Sequence, residues 1–207
     1  FIGKNLIFKL LQKGYVVKAV CRNPYLRGNL RSMANIGQLD IKYGDITKSD
    51  SIENYFESSD IIINLVGVLA ENSKNKYQQA HVMGPSNIGK LSRKYNIKRL
   101  IHVSSIGADI KSNINYQRTK GEGELSLKEN FNDVSIIRPS IVFGPDDGFF
   151  NVQAKLLKFS PVVPLFCGGK NKFQPIYIND LVSGIIRIFE DNSHKGKTFE
   201  FGGPDIM

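Results

Sequence analysis

No stretch of this sequence is apolar for long enough to cross a bilayer, which takes about 18 residues. The longest apolar run, Ile61 to Ala70, is interrupted by Asn64. Cysteine is scarce: Cys21 and Cys167 are too few for a disulfide framework or a thiolate metal cluster, so no metal site is expected and a reducing compartment is the default. Internal repeats and low-complexity tracts are absent. Although the formal charge is +9, the basic residues (Lys13, Lys74, Lys76, Arg93, Lys94, Lys170, Lys172) form no stripe interleaved with stacking aromatics. Nucleic-acid binding is therefore not expected; weak docking on an acidic partner or an anionic membrane ranks above it, and a lysine-rich solvated surface is the leading reading of that charge. What is there fits one globular domain: 207 residues, 41% hydrophobic and 23% charged.

The most informative stretch is Arg99 to Lys120, RLIHVSSIGADIKSNINYQRTK. A short apolar run ends in Ser104 and Ser105, and a loop then leads to Tyr116 and Lys120. At i and i+4 of a helix the two side chains share one face. An ammonium one turn from a phenol stabilises the phenolate, so such a phenol can pass a proton near neutral pH. A serine hydroxyl at the mouth of the strand could hold a carbonyl within its reach. The pair alone says little, because eight tyrosines and twenty lysines give about one Y-x-x-x-K by chance. Its setting of strand, double serine, short loop and helix carries the signal.

Elsewhere, strands alternate with helices. A helix is expected over Phe1–Lys13, entered through Gly3 and stopped by Gly14, then a strand over Tyr15–Cys21 broken by Asn23-Pro24. Strands follow at Leu39–Tyr43 and Ile61–Val66, around a short helix at Ser49–Glu57. A helix covers 76–95, with Gly84-Pro85 as a kink or restart. A strand at 100–104, a helix at 116–129 and a strand at Val134–Arg138 come next. After the prolines at 139, 145, 161, 164 and 175, a strand (Gln174–Ile178), a helix (Leu181–Phe189) and a last strand (Thr198–Phe201) complete the pattern. This predicts a doubly wound α/β domain with a parallel sheet. Because the chain begins on Phe, both ends are expected to be incomplete.

In such sheets ligands bind beyond the carboxyl ends of the strands, where the site residues fall. Gly3 would be the last glycine of a phosphate-binding turn, or a helix-packing glycine. Arg22, ending the second strand, suits a ribose 2′-phosphate, unless it is a solvated arginine beside a turn. Asp45, with Ile46 after it, could accept a hydrogen bond from an adenine amino group, or simply form the turn. Asn64-Leu65-Val66-Gly67 ends a strand, and Gly67 could let backbone approach a cofactor or could close a plain turn. His102 is expected to pack in its strand. Gln174 to Asp180 could face a cleft, or Asn179 or Asp180 could cap the following helix.

Four segments, IIINLVG (61–67), HVSSIGAD with YQRTK (102–120), IIRPSIVFGP (136–145) and GGKNKFQPIYINDL with GKTFEFGGP (168–181, 196–204), together resemble the extended and atypical short-chain dehydrogenase/reductases. This group includes NAD-dependent epimerases and dehydratases. More narrowly, the segments are similar to the nucleotide-binding accessory subunits of complex I, NADH:ubiquinone oxidoreductase, and their bacterial relatives. The resemblance implies NADPH or NADH on a Rossmann-type sheet of order 3-2-1-4-5-6-7 whose first strand would precede Phe1, with about 1–140 as a nucleotide-binding core and about 141–207 as a partial substrate-side region; Arg22 favours NADP(H). It assigns Ser105 to polarising a carbonyl, Tyr116 to acid/base work, and Lys120 to the nicotinamide ribose and to tuning Tyr116. Leu65, Val66, Pro139 and Ser140 would lie along the dinucleotide. His81 stands where these enzymes usually have Asn, which interrupts a proton relay unless it is only a surface helix histidine. The ten-residue loop between Ser105 and Tyr116 is short for a sugar-nucleotide substrate. The function implied is an accessory or assembly protein of a respiratory complex in which nucleotide stabilises the fold. The alternatives are an active oxidoreductase or epimerase on a small carbonyl or alcohol, and a nucleotide-occupancy sensor. The expected place is cytoplasmic, peripheral at the inner membrane, or the matrix side in a eukaryote.

Overall fold

The elements follow one another as α1 (Ile2–Gln12), β1 (Val17–Cys21), a 3-10 helix (Pro24–Met33), β2 (Leu39–Tyr43), β3 (Ile61–Asn64) and a π-helical segment (Gln78–Met83) that runs into α2 (Gly84–Lys94). Next come β4 (Arg99–Val103), α3 (Asn115–Asn130), β5 (Ser135–Pro139), β6 (Val142–Phe143), α4 (Phe150–Phe159), β7 (Ile176–Tyr177), α5 (Ile178–Glu190) and β8 (Thr198–Phe201). This computed structural model describes residues 1–72, 76–159 and 172–206. Lys74, Pro161, Pro164, Cys167, Lys170 and the opening of the 168–181 motif lie outside them.

Every strand pairing is parallel. A ladder β3-β4-β5-β8 forms the centre, β1 pairs with β2, and the short β6 pairs with β7. Parallel strands need crossovers on both faces, so their side chains must be apolar on both. On β4, Ile101 and Val103 join Leu6 and Leu10 of α1 and Leu181 and Ile185 of α5. Leu100 points the other way, joining Ile88 and Leu91 of α2 and Leu127 of α3. The period-two alternation of a strand thus feeds two cores. All five residues of β4 are buried, which fixes β4 as the rigid support of whatever stands at its carboxyl end.

The expected elements are present, with local differences that have physical causes. Ser49–Glu57 is a pair of 3-10 turns, Ser49–Ser51 and Glu53–Tyr55. The Ser51 hydroxyl is hydrogen-bonded to the carbonyls of Lys48 (2.7 Å) and Asp45 (3.0 Å), and such local bonds compete with a regular helix. At Gly84-Pro85 the helix restarts without a gap: the π segment ends at Met83, α2 begins at Gly84, and Pro85 falls in its first turn, where a missing N–H costs little. The strand expected at Gln174–Ile178 contracts to Ile176–Tyr177, and α5 begins at Ile178. Its N-cap is Tyr177, so neither Asn179 nor Asp180 caps it; Asp180 lies inside the first turn, where a carboxylate favours the helix dipole. The helix α4 was not anticipated. Its start is held by Asp147, whose carboxylate accepts the backbone N–H groups of Phe149 (2.8 Å), Phe150 (2.6 Å) and Asn151 (3.2 Å).

Candidate functional site

At the carboxyl end of β4 the chain turns through Ser104 and Ser105 into the loop that leads to α3. The backbone N–H of Ser104 donates to Ile137 (2.7 Å) and that of Ile106 to Pro139 (3.0 Å), so the loop continues the β4–β5 ladder. The side-chain oxygens of Ser104 and Ser105 are both buried and have no hydrogen-bond partner among the described residues. A buried hydroxyl is normally satisfied, which sets these two apart from the rest of the strand ends. The loop is clamped by Gln117: the Asp109 N–H donates to its carbonyl (3.2 Å), and its amide oxygen accepts the Ser112 hydroxyl (2.7 Å).

The helix α3 then presents Tyr116 and Lys120 one turn apart, Tyr116 half-buried and Lys120 only 4% exposed. The Lys120 ammonium donates to the Val103 carbonyl at 3.3 Å, which pins it to the end of β4. Burial pushes its pKa down to about 8, against the opposing pull of Glu124 one turn further on. Glu124 is itself neutralised by a fork from Arg138 on β5 (Nε 3.0 Å, Nη2 2.7 Å), whose other arm reaches Glu200 at 3.4 Å. Lys120 is thus left as the poised cation of the cleft.

His81 sits beside it and is not a surface residue. It is 2% exposed. Its Nε2 accepts the Val68 N–H (3.1 Å) and its Nδ1 lies 3.1 Å from the Thr119 hydroxyl. Thr119 spends its own proton on the Asn115 carbonyl at 2.8 Å, so Nδ1 must carry the hydrogen and the ring is neutral. Burial, then the Lys120 charge, holds the His81 pKa down at about 4. The ring stacks on Tyr77 (centroids 5.1 Å, 17°) and meets Tyr116 edge-on (5.4 Å, 88°). His102 is buried as expected. Its Nδ1 accepts from the Asn64 amide at 3.0 Å, while the Asn64 oxygen accepts the Val66 N–H, also at 3.0 Å. That pair shapes the turn at Leu65–Gly67. A Cβ on Gly67 would lie 3.7 Å from the Lys120 ammonium and 3.9 Å from His81 Nε2, so the Gly67 backbone forms a wall of the same cleft.

The other expected residues line the same sheet edge. Gly3, in the first turn of α1, stands against the Leu65 side chain, where a Cβ would make an ordinary 3.5 Å contact. Nothing in the protein's own packing therefore demands glycine there. The exposed Arg22 directly follows β1. One Asp45 oxygen accepts the Thr47 N–H (3.0 Å) and hydroxyl (2.8 Å), so Asp45 forms its turn whatever else it contacts. The Ile46 carbonyl takes the Asn87 amide at 2.9 Å. Ser140 N–H donates to Phe201 (2.8 Å) and the Pro139 carbonyl is used by Ile106. Sequence reasoning passed over Thr119, Tyr77, Gln117 and the Glu124–Arg138 pair. One signal was available: Gly121 and Gly123 sit inside a helix, where each costs about 1 kcal/mol unless another backbone must come close.

Set beside known proteins, residues 1–202 match the NAD dependent epimerase/dehydratase family. The chain belongs to that family. Its fold is the family's parallel, NAD-binding α/β sheet. It is 34% identical over 206 residues to the mouse mitochondrial NADH dehydrogenase [ubiquinone] 1 alpha subcomplex subunit 9, covering 99% of this chain and 55% of that protein. The Dictyostelium discoideum protein of that name is 33% identical over 209 residues, covering 100% and 58%. The chain therefore spans a little over half the length of these curated relatives. Among solved structures, the dTDP-glucose 4,6-dehydratase of Streptomyces venezuelae with NAD bound superposes with a TM-score of 0.81 at 20% identity, covering 100% of this chain and 74% of that one. No helix among the described residues is long and apolar enough to cross a membrane.

Proposed function

We propose that this chain binds a nicotinamide dinucleotide along the carboxyl edge of its sheet, with NADP(H) preferred through Arg22. In this reading it serves as a nucleotide-stabilised accessory or assembly subunit of respiratory complex I. The observation that carries the proposal is the wall made by Gly67, Lys120 and His81, beside two buried serine hydroxyls without partners. Those residues fit the ribose and nicotinamide end of a dinucleotide: an ammonium for ribose hydroxyls, a glycine that lets backbone approach, and Ser105 and Tyr116 for a carbonyl or alcohol. A bound dinucleotide would supply hydride chemistry. The chain's own residues orient the substrate and hold a proton at the Tyr116 hydroxyl. The complex I assignment comes from the relatives of that name, which are mitochondrial NADH dehydrogenase [ubiquinone] subunits.

His81 favours the scaffold over the enzyme. Its two nitrogens are committed to Val68 and Thr119 and its ring is neutral, so it passes no proton between Lys120 and solvent. Tyr116→Phe removes the phenolic proton and keeps the ring stack. Gly67→Trp fills the space in front of Lys120. In cells carrying each full-length variant, Tyr116→Phe is expected to leave complex I content unchanged, and Gly67→Trp to lower both the protein and the complex. Loss of the complex with a Tyr116→Phe protein that still binds nucleotide would return the argument to an active oxidoreductase or epimerase.

A further inference from the structure

Beyond β3 the chain runs through Gly67 into a loop that apolar burial holds only weakly: Val66 is 40% and Leu69 88% exposed. No backbone–backbone hydrogen bond among the described residues reaches 67–71. Three contacts with the π-helical segment and its N-terminal neighbour Tyr77 hold the loop instead. The Val68 N–H donates to His81 Nε2 at 3.1 Å, the Tyr77 hydroxyl to the Leu69 carbonyl at 2.8 Å, and the Tyr77 N–H to the Glu71 carboxylate at 2.8 Å. Tyr77 and His81 stand one turn apart with their rings stacked, so the two form one plate under the loop.

We propose that Tyr77, His81 and Thr119 are positioning residues that latch the 67–71 loop to α3 and so set the nicotinamide-ribose end of the dinucleotide site, an inference that rests on the dinucleotide reading above. Thr119 decides which way the latch faces. Its hydroxyl proton goes to the Asn115 carbonyl, so it accepts from His81 Nδ1–H and leaves the Nε2 lone pair for Val68. In the other tautomer, or with both nitrogens protonated, a ring N–H would face the Val68 N–H. Burial, and then the Lys120 charge, keeps the ring uncharged. Because Thr119 lies between Tyr116 and Lys120, the latch ties the wall of the cleft to the helix that carries both. A Cβ on Gly67 would lie 3.7 Å from the Lys120 ammonium and 3.9 Å from His81 Nε2, so a loop released from His81 changes the gap between its backbone and the cation meant for the ribose.

The test titrates two ligands into the full-length protein by calorimetry: NADPH, and 2′,5′-ADP, which keeps the phosphorylated adenosine half and lacks the nicotinamide ribose. His81→Leu and Thr119→Val are each expected to weaken NADPH by roughly two- to tenfold, as the loss of a neutral hydrogen bond does, and to leave 2′,5′-ADP unchanged. Tyr77→Phe keeps the ring stack, loses the Leu69 bond and should act in the same direction. His81→Gln, whose amide oxygen can take the Val68 N–H, should recover most of what His81→Leu loses. Without nucleotide, hydrogen exchange of peptides spanning 67–71 should be faster in His81→Leu and Thr119→Val and close to that of the unaltered protein in His81→Gln. A general loss of fold would weaken both ligands alike, and that result would overturn the positioning role. So would unchanged NADPH affinity in both His81→Leu and Thr119→Val, which would leave the dinucleotide site itself standing. An unaltered protein that binds neither ligand would overturn the dinucleotide reading and the latch together.

Discussion

His81 carries the clearest pH signature in the molecule. In the unfolded chain it takes a proton near its ordinary pKa of 6.5, whereas in the fold it does so only at about 4. Between those values the unfolded state binds more protons, so stability rises with pH and is lost as pH falls. The full span corresponds to about 3 kcal/mol. Urea midpoints of the full-length protein at pH 7 and pH 5 should show a drop that His81→Gln reduces, the remainder belonging to the buried His102, which is also held well below its ordinary pKa; a drop unchanged by His81→Gln would reject the part given to His81. Arg22 gives a second residue-level prediction. If it pairs with a 2′-phosphate, a charge-assisted contact of about 1.5–3 kcal/mol makes NADPH bind roughly ten- to a hundredfold tighter than NADH. Arg22→Ala should erase most of that difference in calorimetry, and equal affinities in the unaltered protein would reject the role. Where the candidate residues stand in the fold was legible in the sequence. Ser105, Tyr116 and Lys120 could be named from their spacing because strand, loop and helix periods are local. The committed state of His81 could not, because it depends on Val68, Thr119 and Tyr77, which reach it through space.

The helix α3 shows how an element is placed by what it lacks. Gly121 and Gly123 lower its intrinsic stability, yet a Cβ at 121 would fall 2.6 Å from the Ile110 nitrogen and one at 123 would overlap the His81 carbonyl oxygen. These approaches bring the loop and the π-helical segment onto α3, and with them Tyr116 and Lys120 onto His81. Gly123→Ala should therefore destabilise the protein by several kcal/mol even though alanine is the better helix former, because backbone must move. It should also weaken dinucleotide binding. Gly3→Ala is the contrast, since its 3.5 Å contact is ordinary: a small effect on thermal stability is expected, and any loss would appear in nucleotide affinity. A stable Gly123→Ala protein with wild-type nucleotide binding would show that the close approach is not needed. The helices α2 and α5 were legible because their apolar periods are strong, whereas α3, whose apolar period is weak, was legible from its place between two strands. The 3-10 turns and the π segment were not, since a serine side chain and a proline set them atom by atom.

At the scale of the whole molecule, the sheet is in two main parts. Among the described residues β1 pairs only with β2, and β3 only with β4, so each leaves a ladder edge unpaired beside an apolar face. Unpaired parallel edges with apolar faces invite association. We expect residues 1–207 expressed alone to be aggregated or molten, and the full-length protein to melt cooperatively at a temperature that rises with added dinucleotide. A sharp two-state melt of the 207 residues alone would mean that the two parts are already complete. The sequence by itself determined the alternation of strands and helices, the parallel α/β class and the residues at the strand ends, because these follow from local periodicity and from apolar runs buried on both faces. Only the tertiary structure decided that His81 is a buried neutral base, that Lys120 is pinned to β4 with its pKa lowered, and that Glu124 is occupied by Arg138. Those properties belong to contacts between residues far apart in the chain, and burial and electrostatics exist only once the chain has closed around them.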